Sequence, residues 1–150
     1  MAEPSTRPAT AADVPALLEM MVDFNALEQI AWTPAAGEAP LRALLAAPDV
    51  GIVHLIVEGD AVRGYFILTW GYDLEHGGKD GMLTELYLRP DARGGGLGRT
   101  AMATVEEVAR AHGLRALHPL VRPENVPAVR LYHGAGFTAP PRVFLSKKLA

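Results

Sequence analysis

The chain has 150 residues, 49% of them hydrophobic, a formal net charge of -3 and no cysteine. That length suits a single domain over 1–150 with one good core, and that apolar content excludes a disordered chain. The missing thiols exclude disulfides, thiolate catalysis and cysteine metal sites, and the charge gives no reason to expect a nucleic-acid partner.

No apolar run reaches the length of a bilayer span, and Met1 to Pro15 lacks the charged-then-apolar layout of a signal peptide. A cytoplasmic protein without a membrane partner is therefore the expectation. In chain order, Ser5 to Pro8 reads as a short edge strand. Thr10-Ala-Ala-Asp13 has the form of a capping box with Asp in place of Glu. A helix then runs to about Glu28, with Val14, Leu17, Leu18, Met21 and Val22 on its buried stripe. Trp32 to Pro40 reads as a proline- and alanine-rich loop before a short helix over Leu41 to Ala47. Two apolar strands, Val50 to Val57 and Ala61 to Trp70, flank a turn at Glu58-Gly59-Asp60. Gly71 to Gly81 reads as a polar loop leading to a central strand, Met82 to Leu88.

Arg89-Pro90-Asp91 ends that strand, since proline donates no ladder hydrogen bond. From Gly98 the period changes, and Ala101, Met102, Val105, Val108 and Ala109 form a helical stripe. Leu114 to Val121 must run parallel to the central strand, because a helix carries the chain back across the sheet. Pro119 limits its pairing to one side. Asn125 caps a last helix over Val126 to about Gly134, with Pro127 in its first turn. Val143 to Leu149 is expected to close the sheet. The pattern is α/β (α+β), a mixed, mostly antiparallel sheet with flanking helices.

Between the central strand and the following helix lies Arg93-Gly-Gly-Gly-Leu-Gly-Arg99. The first amides of a helix have no internal partner, and glycines let an anion approach the backbone. With Arg93 and Arg99 at its ends, the loop suits a phosphate or pyrophosphate. A Walker loop is excluded because Gly98-Arg99-Thr100 lacks the lysine. Gly96, Gly98 and Ala101 match a dinucleotide fingerprint, which would require the loop to follow its strand directly.

The histidines, at positions 54, 76, 112, 118 and 133, show no i, i+4 ligand spacing, so no metal site is expected.

Arg93-x-x-Gly96-x-Gly98 resembles the acetyl-CoA pyrophosphate loop of the GCN5-related N-acetyltransferases (GNAT). Asn125-Val-Pro-Ala-Val-Arg-Leu131-Tyr132-His-Gly-Ala-Gly136-Phe137 resembles the same family's second signature, and Thr6 to Asp13 its first strand and helix entry. The resemblance implies that the parallel pair of strands splays apart to make a cofactor cleft. It implies pantetheine contacts from the main chain of Leu86, Tyr87 and Leu88 and from Asn125. Pyrophosphate contacts would come from Arg93, Gly94, Gly95, Gly96, Leu97, Gly98 and Arg99. Tyr132 would protonate the leaving thiolate. Glu85 would serve as base, or else bind the amine's charge, and a one-residue bulge would switch its face.

The implied activity is acetyl transfer from acetyl-CoA to a primary amine of a small molecule, polyamine-like, amino acid or aminoglycoside, within a ternary complex. The layout looks closest to the diamine acetyltransferase-like branch, with Glu28 and Trp32 beside the acceptor. A protein amine as acceptor, a non-catalytic acyl-CoA-binding module and a homodimer remain open alternatives at this stage.

Overall fold

The computed structural model describes residues 3–150. Strand β1 (Pro4–Pro8) leads through a short 3₁₀ turn to helix α1 (Val14–Leu27), then α2 (Pro34–Leu45). Strands β2 (Gly51–Glu58), β3 (Ala61–Asp73) and β4 (Gly78–Leu88) follow, then α3 (Leu97–Ala111), β5 (Leu117–Pro119) and α4 (Val126–Gly134). The sheet order is β1-β2-β3-β4-β5, antiparallel except for the parallel β4–β5 pair. This is the mixed, mostly antiparallel architecture that the sequence predicts. Among the described residues, no helix is long and apolar enough to cross a membrane.

Each face of the sheet has its own core. On one, Leu17, Met20 and Met21 of α1 and Leu41 of α2 pack on Val53, Leu55, Tyr65, Ile67 and Tyr87. On the other, Met102 and Val105 of α3 and Tyr132 of α4 pack on Ile56, Phe66, Leu68 and Leu83. Residues 64–68 of β3 are buried without interruption because both faces are covered. Val22, expected inside, is 49% exposed, and Met20 takes its place in the core.

Four elements depart from the sequence-based expectation. Helix α2 starts at Pro34, inside the predicted loop. Thr33 caps it by accepting from the Ala36 amide at 3.2 Å, and Pro34 sits in the first turn, where a missing N–H costs nothing. Gly37 leaves room for the Trp32 ring, which a Cβ there would strike. Most of the predicted loop at Gly71 to Gly81 is hairpin, with Gly71 opposite Asp80 and Tyr72 opposite Lys79. Exposed residues at 71, 72, 74, 75 and 76 mark a hairpin end lying beyond the core, where polar residues need not signal a loop.

Strand β5 is shorter than expected. The segment from Val143 to Leu149 forms no strand and does not close the sheet. Val143, Phe144, Leu145 and Leu149 are 70–90% exposed, so the apolar residues of that segment meet no sheet edge.

The feature that makes the site is the end of β5. Pairing runs Gly81–Leu117, Met82–His118, Leu83–Pro119 and stops there. Pro119 has no N–H with which to continue the ladder. Strand β4 goes on to Leu88 without a neighbour on that side, while the chain after Pro119 turns away towards α4.

Candidate functional site

The splay opens a cleft of about 640 Å³. Leu86, Tyr87 and Leu88 form one wall, and the loop from Arg93 to Arg99 closes one end. Opposite β4 lie Arg122, Glu124 and Asn125 and then α4 with Leu131 and Tyr132, while Phe24 and Glu28 reach in from the end of α1.

The glycine loop has the backbone its sequence requires. Gly94 and Gly96 have φ of +82° and +83°, a region that penalises any Cβ. Apart from the adjoining residues, no described atom lies within 4 Å of the position a Cβ would take at Gly94, Gly95 or Gly96. The left-handed Gly96 is also the N-cap of α3, so the helix starts with its free amides beside the cleft. The open backbone, free amides and Arg99 side chain suit a phosphate. The Arg93 guanidinium instead bonds within the protein, from Nε to the Leu88 carbonyl at 2.9 Å and to Asp23 at 3.1 Å.

Tyr132 is 8% exposed, lines the cleft and packs edge-on against Phe137 with ring centroids 5.8 Å apart. Burial, and then the Glu28 carboxylate, push its phenol well above the usual tyrosine range. It therefore stays a hydrogen-bond donor at neutral pH. Asn125 caps α4 by accepting from the Ala128 amide, and its Nδ2 donates to Glu28 at 3.4 Å.

Glu85 owes its orientation to an irregularity in β4. Ile67 pairs with Glu85 but Leu68 pairs with Leu83, so Thr84 is an extra residue in the ladder. In a strand without this bulge, Leu83 and Glu85, two residues apart, would share a face. With it, Leu83 faces the α3 core while Glu85 turns with Tyr87 towards the α1 side. There Tyr65 donates to Glu85 Oε1 at 2.7 Å. Burial raises the Glu85 pKa, and the Tyr65 hydrogen bond partly offsets that rise.

The neighbouring Tyr87 donates to Asp23 at 2.6 Å and has its pKa pushed up to about 12, by burial first and then by Asp23. Tyr65 and Asp23 were not singled out by the sequence. A tyrosine inside an apolar strand was the available signal, since its hydroxyl needs a partner when buried.

Residues 18–137 match the family model described as "Acetyltransferase (GNAT) family". The chain belongs to the GNAT acetyltransferase family. Among solved structures, the integron cassette protein HFX_CASS3, from the mobile metagenome of Cole Harbour Salt Marsh, is 36% identical. The match covers 97% of this chain and 90% of that one, at a TM-score of 0.83. Aminoglycoside N-acetyltransferase AAC(6')-Iy, solved with CoA, shares the fold at 16% identity, 100% and 97% coverage and a TM-score of 0.82. A predicted acetyltransferase of Clostridium acetobutylicum, solved with acetyl-CoA, does so at 14% identity, 97% and 96% coverage and a TM-score of 0.78.

The GNAT match begins within α1 and ends at Phe137, so it takes in the whole cleft. Of the residues predicted for the site, Leu86, Tyr87, Leu88, Arg93, Gly94, Gly96, Gly98, Arg99, Asn125 and Tyr132 line that single cleft. Three do not. Gly95 is exposed at the loop tip, Leu97 is buried beneath α3, and Glu85 lies one residue before the wall, half-buried on Tyr65. Arg122 and Glu124 line the cleft as well, at positions the sequence did not assign to the cofactor.

Proposed function

We propose that this chain transfers the acetyl group of acetyl-CoA to a primary amine of a small molecule, by direct attack within a ternary complex. The observation that carries the reading is a phenol kept protonated, Tyr132, on the wall of the cleft whose end is the open glycine loop. In this reading the amides from Gly94 to Arg99 and the Arg99 side chain hold the pyrophosphate. The free side of β4 at Leu86 to Leu88, with Asn125, holds the pantetheine arm.

The amine nitrogen attacks the thioester carbonyl carbon. As the C–N bond forms, the C–S bond breaks and its electron pair goes to sulfur, which takes the Tyr132 proton. The proton lost by the amine passes to Glu85 through a water, since Glu85 is not on the cleft wall. Solvent then restores both groups. A carboxylate with a raised pKa is better matched to an amine proton than an ordinary one. Glu28 and Glu124 give the cleft carboxylates that favour a cationic acceptor.

The test is acetyl-CoA turnover over a panel of polyamines, amino acids and aminoglycosides, with the product identified by mass spectrometry. Acetylation of at least one amine, strongly slowed in Tyr132→Phe, is the expected result. Tight acetyl-CoA binding with no turnover on any amine would make the chain a binding module.

A further inference from the structure

A second set of polar side chains gathers at the opposite end of β4. Asp73 ends β3, His76 lies in the connection to β4, and His118 is the middle residue of β5. One ligand atom from each lies within 4.8 Å of the other two. The two imidazole rings have centroids 5.3 Å apart.

His118 has a carboxylate of its own, with Nε2 3.1 Å from Asp80 Oδ2. Such a partner fixes the tautomer and orientation of a metal-binding histidine. The connection is also tied in place. Asp73 Oδ1 accepts from the Glu75 amide at 2.9 Å, and Arg115 donates to the His76 carbonyl at 3.1 Å. Gly77 closes the turn at φ +82°, with its amide on the Leu74 carbonyl.

We propose that Asp73, His76 and His118 bind a divalent transition-metal cation of the zinc class, with Asp80 as the orienting partner of His118. Two imidazoles and a carboxylate suit Zn²⁺ or its neighbours, whereas Mg²⁺ and Ca²⁺ prefer sets made of oxygen. Ligand atoms of a tetrahedral zinc site stand about 3.4 Å apart at bond lengths near 2.1 Å. From separations of no more than 4.8 Å, small side-chain rotations close the set.

The spacing of histidines along the chain gave no hint of this, because the fold, not one helix, brings positions 76 and 118 together. Chain spacing registers only local ligand pairs.

The bound ion would join the β3–β4 connection to β5. That strand is three residues long, and its end sets the splay of the cleft. Met82, which pairs with His118, lies roughly 10 Å along β4 from Glu85, so the ion takes no part in acyl transfer. Its effect is on the stability of the β5 attachment, through preferential binding to the folded chain.

The experiment uses the full chain without a histidine tag, freed of metal by chelation, and titrates it calorimetrically with Zn²⁺ and with Mg²⁺. One Zn²⁺ per chain, a higher melting temperature with Zn²⁺ and no response to Mg²⁺ are expected. His76→Ala, in an exposed turn, keeps the fold and loses at least about 10-fold in Zn²⁺ affinity. Asp80→Asn also weakens the site, while His133→Ala, in α4 with its ring on the Phe137 carbonyl, leaves it unchanged. No saturable Zn²⁺ binding by the parent overturns the proposal. So does a His76→Ala affinity equal to the parent's, or an equal loss in His133→Ala.

Discussion

Tyr65 on β3 and Glu85 on β4 share a hydrogen bond of 2.7 Å, formed because the extra residue Thr84 turns Glu85 away from the α3 core. Two opposing effects meet at that carboxylate. Burial favours its neutral form, and the phenol favours its charged form.

Tyr65→Phe therefore removes the stabilising contact and leaves the burial. The Glu85 pKa rises further, and less of the base is ionised at any acidic pH. In a pH profile of kcat/KM, the acidic limb should move to higher pH, with acetyl-CoA affinity unchanged. An unmoved limb would mean that Glu85 does not set it.

Glu85→Gln should separate activity from stability. A folded-state pKa above the unfolded value means that the group's stabilising contribution is present at low pH and is lost as pH rises through the folded pKa. Once ionised, Glu85 is thus a burden on the fold, and the neutral amide relieves it. The melting temperature above the Glu85 titration should hold or rise while turnover falls, most strongly where the parent's Glu85 is ionised and the amine is still protonated. Turnover should partly recover as the amine loses its proton unaided. A raised acceptor KM with unchanged kcat would make Glu85 a binding group for the amine.

Gly96 and Gly98 allow folding and ligand effects to be told apart. Gly96→Val places a branched side chain at φ +83°, with a folding cost of about 1–2 kcal/mol from the left-handed conformation, and weakens acetyl-CoA binding strongly. At Gly98 an added Cβ would only touch Leu131 at 3.6 Å, an ordinary contact, inside a helix that prefers alanine. Gly98→Ala should keep or raise the melting temperature and still weaken acetyl-CoA binding, measured by calorimetry. Parental affinity in both variants would place the pyrophosphate elsewhere.

The local parts of this site were legible because their chemistry is written in consecutive residues. Gly94 to Arg99 needs positive φ and a helix start, and Asn125 followed by Pro127 announces a helix N-terminus. The apolar run within Ala61 to Trp70, next to the turn at Glu58-Gly59-Asp60, likewise gave a strand, though not its extension to Asp73. Long-range pairings were not legible. The Tyr65–Glu85 bond depends on the register between two strands, and one bulged residue decides it. Prolines and alanines in Trp32 to Pro40 suggested a loop by composition, but Pro34 in the first turn of α2 and Gly37 against Trp32 are both compatible with a helix. Val143 to Leu149 has strand composition, but composition cannot say whether a sheet edge is within reach.

Tyr132 tests the central claim most directly. The thioester sulfur is a poor acceptor, so a phenol beside it gains its hydrogen bond only as the thiolate departs and acts on the transition state. Tyr132→Phe keeps the ring that packs on Phe137 and removes only the oxygen. The decisive measurement is kcat and acetyl-CoA Kd on one preparation of this variant. Acyl transfer through the Tyr132 phenol predicts a kcat lower by roughly 10²-fold or more with Kd nearly unchanged. A near-parental kcat would contradict it, and an equal loss of affinity and turnover would make the hydroxyl a binding group.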